Sequence, residues 1–242
     1  MVSKYNGVKR GLLVAGLAVF LVEQPAMATI LGPSGYLSFA DSPFNGVAFQ
    51  SFFLEDFEDH SLNTPGLSAS SGGVASVVNG PADHDSVDAD DGNIDGSGLL
   101  GDSYATYGRL FFYFDSDVLG FLPTHAGLVW TDGGGTLSFY GWGPGGSYLG
   151  GISVGVFSGF GDHRSDGGTA EDAFFGVVNA GGISALEIVN SYGPIEVDHI
   201  QYGSVFSRYN PSPSPPTVPE PTTLSLLAIA GLCRFVWKAR RP

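Results

Sequence analysis

Leu128-Val-Trp-Thr-Asp-Gly-Gly-Gly-Thr-Leu-Ser-Phe-Tyr-Gly-Trp142-Gly-Pro-Gly-Gly-Ser-Tyr148-Leu-Gly-Gly-Ile-Ser-Val-Gly-Val-Phe157 alternates runs of β-branched and aromatic residues with glycine clusters. Three runs stand out, Leu128 to Thr131, Thr136 to Trp142 and Tyr148 to Phe157, and none sustains the apolar period of a helix. Branched and aromatic side chains suit a pleated surface. Asp132-Gly133-Gly134-Gly135 and Gly143-Pro144-Gly145-Gly146 supply positive φ or a fixed φ where a chain turns. The spacing predicts strands separated by reversals. The same grammar extends outward to Phe49 to Phe57, Tyr104 to Phe114, Ala173 to Val178, Ile183 to Val189 and Ile195 to Tyr202, with a further turn cluster at Asp166-Gly167-Gly168. Many short strands at such spacing predict an all-β, antiparallel sandwich. No internal repeat of useful length is visible, which argues against a propeller or solenoid. Leu67 to Gly101 is expected to be the least ordered piece, because Ser, Gly and Asp dominate there and apolar residues are too sparse to offset the entropy of ordering.

The 242 residues divide into a processed start, one domain and a tail. Of the 10 Lys and Arg residues, only Arg109, Arg164 and Arg208 lie outside the terminal segments, so the middle is strongly acidic. Such a surface repels a polyanion, which excludes nucleic acid as a natural partner and leaves hard cations, cationic surfaces and neutral sugars open. The single cysteine, Cys233, sits in the apolar tail, so one chain can hold neither a disulfide framework nor a cysteine metal cluster.

Residues 1–28 carry three basic side chains, an apolar run from Gly11 to Val22 and the small-x-small pattern Ala26-Met27-Ala28. They read as a signal peptide and signal helix, cut by signal peptidase before Thr29. The domain is expected over 29–209. Residues 210–217, Asn-Pro-Ser-Pro-Ser-Pro-Pro-Thr, form a semi-rigid extended spacer. Val218-Pro219-Glu220-Pro221 follows, then the apolar helix-forming run Leu224 to Cys233 and the basic finish Lys238, Arg240 and Arg241. A tail anchor on a proline stalk would share this order, and either arrangement keeps the basic end cytoplasmic.

The tail over 218–242 resembles the PEP-CTERM sorting signal. The resemblance implies export, transient anchoring in the inner membrane and recognition of Val218, Pro219, Glu220 and Pro221 by an exosortase, a membrane cysteine peptidase. It also implies delivery to the cell surface or the extracellular exopolysaccharide matrix. Arg234 interrupts the apolar stretch but can snorkel to the interface. Four phrases in the middle are similar to a recurrent PEP-CTERM ectodomain: Asp85 to Gly98, His125 to Asp132, Glu171 to Val177 and Ile195 to Gly203. That similarity implies a jelly-roll topology like that of carbohydrate-binding modules.

Several constellations could carry chemistry. Asp91-x-Asn93-x-Asp95-Gly96, with Ser97 and Asp102, matches the spacing of a calcium loop, although Gly98 and the short Asp102 depart from it and no helices are expected to flank it. A solvated series of Asx and Gly turns is the competing reading. An alternative calcium set is Glu55 and Glu58, beside Asp56 and Asp59, near Asp198 on the last strand. Alternation places Glu196 and Asp198 on one face of that strand. Glu196-x-Asp198-x-x-Gln201 resembles the Glu-x-Asp-x-x-Glu strand of concanavalin-like glycosidases, but Gln201 cannot donate the proton a leaving oxygen needs, so no catalytic residue is expected. Asp83-His84-Asp85, Asp162-His163 and Asp198-His199 are sequence neighbours that a strand would point to opposite faces, and are expected to make poor ligand pairs. Trp130, Tyr140 and Trp142, with Tyr148, could form a sugar-stacking platform, though strand aromatics usually fill cores. The expected function is therefore binding or structure at the cell surface. The alternatives are a passive matrix component and an extracellular enzyme, glycoside hydrolase or lyase, acting on polysaccharide.

Overall fold

The computed structural model describes residues 27–76, 84–155 and 167–205. Its strands are β1 (Thr29–Gly35), β2 (Ser51–Glu55), β3 (Leu67–Ala69), β4 (Gly73–Ala75), β5 (Ser103–Phe114), β6 (His125–Gly143), β7 (Ser147–Gly155), β8 (Ala173–Val178) and β9 (Ala185–Ser204). All pairings are antiparallel and belong to one sheet, in the order β1-β8-β6-β9-β5-β3, with β2 on β9, β4 on β5 and β7 on β6. The all-β, antiparallel class read from the sequence is what the chain adopts.

The sheet folds over itself because its longest strands bend. The first half of β6 pairs β8 and the second half of β9, whereas its second half pairs β7 and the first half of β9. Asp132 to Gly135, expected to reverse the chain, only bends it. The register shifts there repeatedly, and β6 continues straight into the run that had been read as a separate strand. Facing this bend, Asn190 to Pro194 bends β9, so Ile183 to Val189 and Ile195 to Tyr202 also fall largely within one strand. The predicted reversal at Gly143 to Gly146 does form, between β6 and β7. β1 was missed, since its glycines and proline dilute the strand signal.

Alternation then sorts the side chains. Leu110, Phe112 and Phe114 of β5, Leu137 and Phe139 of β6, Phe175 and Val177 of β8, and Leu186, Ile188, Val197, Ile200 and Tyr202 of β9 fill the main core between the two halves. A smaller cluster of Tyr36, Phe44, Val87, Val129 and Phe174 lies on the other face of the β8–β6–β9 half. Both faces of β8 are therefore buried, which explains its unbroken apolar run.

The described parts of Leu67 to Gly101, residues 67–76 and 84–101, are more ordered than the composition of that stretch suggests. They supply β3, β4 and a 3-10 turn at Asp88–Asp91, and residues 84–88 are buried. Hydrogen bonding replaces apolar burial here. Asp88 accepts the N–H groups of Asp95, Gly96 and Ser97 and the Thr169 hydroxyl, while Glu196 and Asp198 accept the N–H groups of Asp85 and Val87. Thr29, the residue that the expected signal cleavage would leave first, opens β1. The signal run, the spacer and the sorting segment lie outside the described residues. Among those described, no helix is long and apolar enough to cross a membrane.

Candidate functional site

Two places concentrate polar and aromatic chemistry. The first is a groove of about 720 Å³ on the outer face of the β5–β9–β6–β7 half. Arg109, Phe111 and Tyr113 point outward from β5 because Leu110, Phe112 and Phe114 point in, and Tyr140 and Trp142 do the same on β6. The hairpin at Gly143 to Gly146 carries Tyr148 back against them. Its ring lies 5.6 Å from Trp142 and 6.2 Å from Tyr140. Across the groove Phe111 and Tyr113 stack with planes 6° apart. On its floor, Glu187 is buried, holding Arg109 Nε at 3.2 Å and accepting the Trp142 indole N–H at 2.8 Å. Tyr113 and Tyr148 are exposed.

Of the predicted stacking residues, Tyr140 and Trp142 line this groove, but Trp130 does not. It is fully buried in the main core, because the bend at Asp132 to Gly135 puts it in the other half of β6. Tyr113, Phe111 and Glu187 went unrecognised in the sequence. The available signal was the alternation Arg109-x-Phe111-x-Tyr113 opposite an apolar set.

The second place is a sealed acidic centre where residues 84–90 and 169–172 meet the bend of β6 and the second half of β9. Glu196 and Asp198 share one face of β9, as alternation predicts, and both are buried. Glu196 accepts the Ser103 hydroxyl at 2.5 Å and the Asp85 N–H at 3.0 Å; burial pushes its carboxyl up to about 8. Burial, then the charge of Asp90, pushes Asp198 well above the usual carboxylate range. Asp88 differs. Burial raises it, but the N–H donors of Asp95, Gly96 and Ser97 and the Thr169 hydroxyl outweigh that and hold it below its ordinary value.

Asp198 and His199, expected to diverge, come together with Asp90: one ligand atom from each lies within 4.8 Å of the others. The reason is a bulge. His199 has φ of 44°, which breaks the alternation of β9 and turns both side chains to the same face. A hydrogen-bond chain runs through it. Ser42 donates to Gln201, Gln201 donates to the Tyr36 hydroxyl, and that hydroxyl lies 2.8 Å from His199 Nδ1, which leaves Nε2 to donate to Asp90 Oδ1 at 2.9 Å. Gln201 is thus a structural bridge in the position where the resemblance to glycosidases would put an acid.

Among the described residues, the acids of the two predicted calcium sets do not fall into one close group. Asp91 accepts the N–H of Asn93 in an Asx turn, the N–H groups of Asp95 to Ser97 point at Asp88, and the Asp102 carboxylate is bound to His60 at 2.5 Å. Glu55 accepts N–H groups from Phe57, Asn63 and Thr64, Glu58 accepts the Asp102 N–H, and Asp198 is capped by Val87. The acids that do meet, besides Asp90, Asp198 and His199, are Asp85, Asp132 and Glu171, all buried, with ligand oxygens within 4.8 Å of one another. His84 is likewise buried and bonds the Gly101 carbonyl, while Asp83, Asp162 and His163 lie outside the described residues.

These features define an all-β domain with an open aromatic groove on one half and a closed acidic centre on the other. Residues 217–241 match the PEP-CTERM protein-sorting motif. No curated protein and no solved structure matches the chain. The motif marks an exported protein, sorted by an exosortase through a C-terminal membrane-anchoring signal.

Proposed function

We propose that the domain is a carbohydrate- or matrix-binding module of the cell surface and that the aromatic groove is its binding face. The observation that carries this reading is the pairing of exposed rings with a fixed polar floor. Tyr113, Tyr140, Trp142 and Tyr148 offer apolar faces to the C–H side of a sugar, and Arg109 and Glu187 offer hydrogen-bonding partners to its hydroxyls. An acidic chain favours neutral sugars over acidic ones in this role. The reading includes no hydrolytic step. A glycosidase needs two carboxyl groups across the bond, and Glu187 is the sole carboxylate among the groove residues, already held by Arg109 and Trp142. Glu196 and Asp198 are buried under residues 84–88, out of reach of a polymer.

The test is binding of the purified exported protein to the exopolysaccharide of its producing cells and to arrayed neutral and acidic glycans. Retention is expected on a neutral glycan, and Tyr148→Ala and Tyr113→Ala should each weaken it about three- to tenfold, the effect of one lost aromatic contact. Binding that survives both changes, or no binding to any glycan, refutes the groove as the ligand face.

A further inference from the structure

We propose that Asp85, Asp132 and Glu171, with Asp172 beside them, form a buried site for a single Ca2+ ion. The three ligand carboxylates come from separate parts of the chain: the segment ahead of the Asp88–Asp91 turn, the bend of β6, and the loop leading into β8. Their oxygens lie within 4.8 Å of one another. Two oxygens bound about 2.4 Å from one Ca2+ can stand up to about 4.8 Å apart, so a single ion can bridge the group. All donors are hard oxygens, which suits Ca2+ over softer transition metals.

The second observation is Asp172. It is 2 % exposed, and neither carboxylate oxygen has a hydrogen-bond partner. A buried carboxylate without a donor is costly unless a cation or a proton compensates it. Arg109 is the only Lys or Arg among the described residues, and it is bound to Glu187 in the groove. The neighbouring group of Asp90, Asp198 and His199 is a separate cluster, organised by hydrogen bonds to Tyr36, Gln201 and the Val87 N–H.

The experiment strips the purified exported chain with chelator and titrates it with Tb3+, then Ca2+. Tryptophan-sensitised terbium emission should saturate at one equivalent and be displaced by Ca2+, and Ca2+ should raise the melting temperature at constant ionic strength. Glu171→Gln should weaken Ca2+ binding about tenfold or more, since it removes a charged ligand, whereas Asp91→Ala and Asp95→Ala should leave it intact. Should Glu171→Gln fail to fold, the donor locates the ion with every ligand present. Trp130 is two residues from Asp132 and Trp142 lies at the far end of β6, so Trp130→Phe should quench the emission and Trp142→Phe should spare it. Equal melting temperatures with Ca2+ and with chelator overturn the proposal. So does emission that depends on Trp142 alone, or binding abolished by Asp90→Asn and retained in Glu171→Gln.

Discussion

At the scale of single residues, Asp198 shows how much one backbone angle decides. His199 at φ of 44° turns its ring beside Asp198 and Asp90, and hydrogen bonds link Gln201, Tyr36, His199 and Asp90 into one chain there. Tyr36 is raised too, by burial first and then by the charges of Asp198 and Asp90. Because the folded Asp198 holds its proton above the pH at which the unfolded chain releases it, the folded state binds more protons across that window. Its stabilising contribution is complete below the ordinary aspartate value of about 4 and is lost as pH rises toward the folded value, at up to about 1.4 kcal/mol per pH unit for one proton. Glu196, shifted to about 8, adds a loss of the same sign. In chelator, the melting temperature should therefore fall between about pH 4 and pH 7. Asp198→Asn, neutral throughout and still able to accept the Val87 N–H, should make that fall shallower by about one proton's worth. An unchanged pH profile in the variant would show that Asp198 is ionised in the fold.

At the scale of elements, the bends of β6 and β9 are what make one sheet into two facing halves. Gly135 has φ of 86°, and a Cβ there would lie 2.9 Å from the Tyr192 backbone nitrogen, in the opposing bend. Gly135→Ala is thus strained both by its own backbone and by its neighbour, and should cost about 1–3 kcal/mol in denaturant unfolding. Gly145→Ala, where φ is 66° but no atom lies within 4 Å, should cost less. A comparable loss at both positions would mean that the bend tolerates a side chain. The same bends mark the limit of what the sequence discloses. Strand runs were legible because apolar and polar residues alternate at period two, and the sorting tail because its parts stand in a fixed order. A glycine cluster, however, signals only that φ is free, and a reversal at Gly143 to Gly146 and a bend at Asp132 to Gly135 look alike. Alternation also fails wherever a bulge intervenes, which is why Asp198 and His199 were separated on paper. Asp132 and Glu171 escaped notice for a further reason: their meeting depends on three distant segments closing over one another, and no local spacing records that.

At the scale of the whole molecule, the groove and the acidic centre lie on different halves of the folded sheet, separated by the main core. A sugar at the groove and a cation at the centre should therefore act independently, and the Tyr148→Ala protein should melt like the parent whether or not Ca2+ is present. The tail has a separate logic. In the sequence, the proline-rich Asn210 to Thr217 precedes Val218-Pro219-Glu220-Pro221. The apolar run after it is short and carries Arg234, which suits a transient anchor better than a permanent span of about 20 residues. Because residues 217–241 match the sorting motif, the protein extracted from the surface of exosortase-bearing cells is expected to end near Pro219 to Pro221, lacking the apolar and basic segments. Intact-mass measurement reads this directly. Changing Pro219-Glu220-Pro221 to alanines should leave the chain in the inner membrane with its C-terminus at Pro242, while the domain keeps its melting temperature, since β9 ends at Ser204, well before the motif. Surface protein that still ends at Pro242 in such cells would mean the segment is retained as an anchor and the motif is read without cleavage.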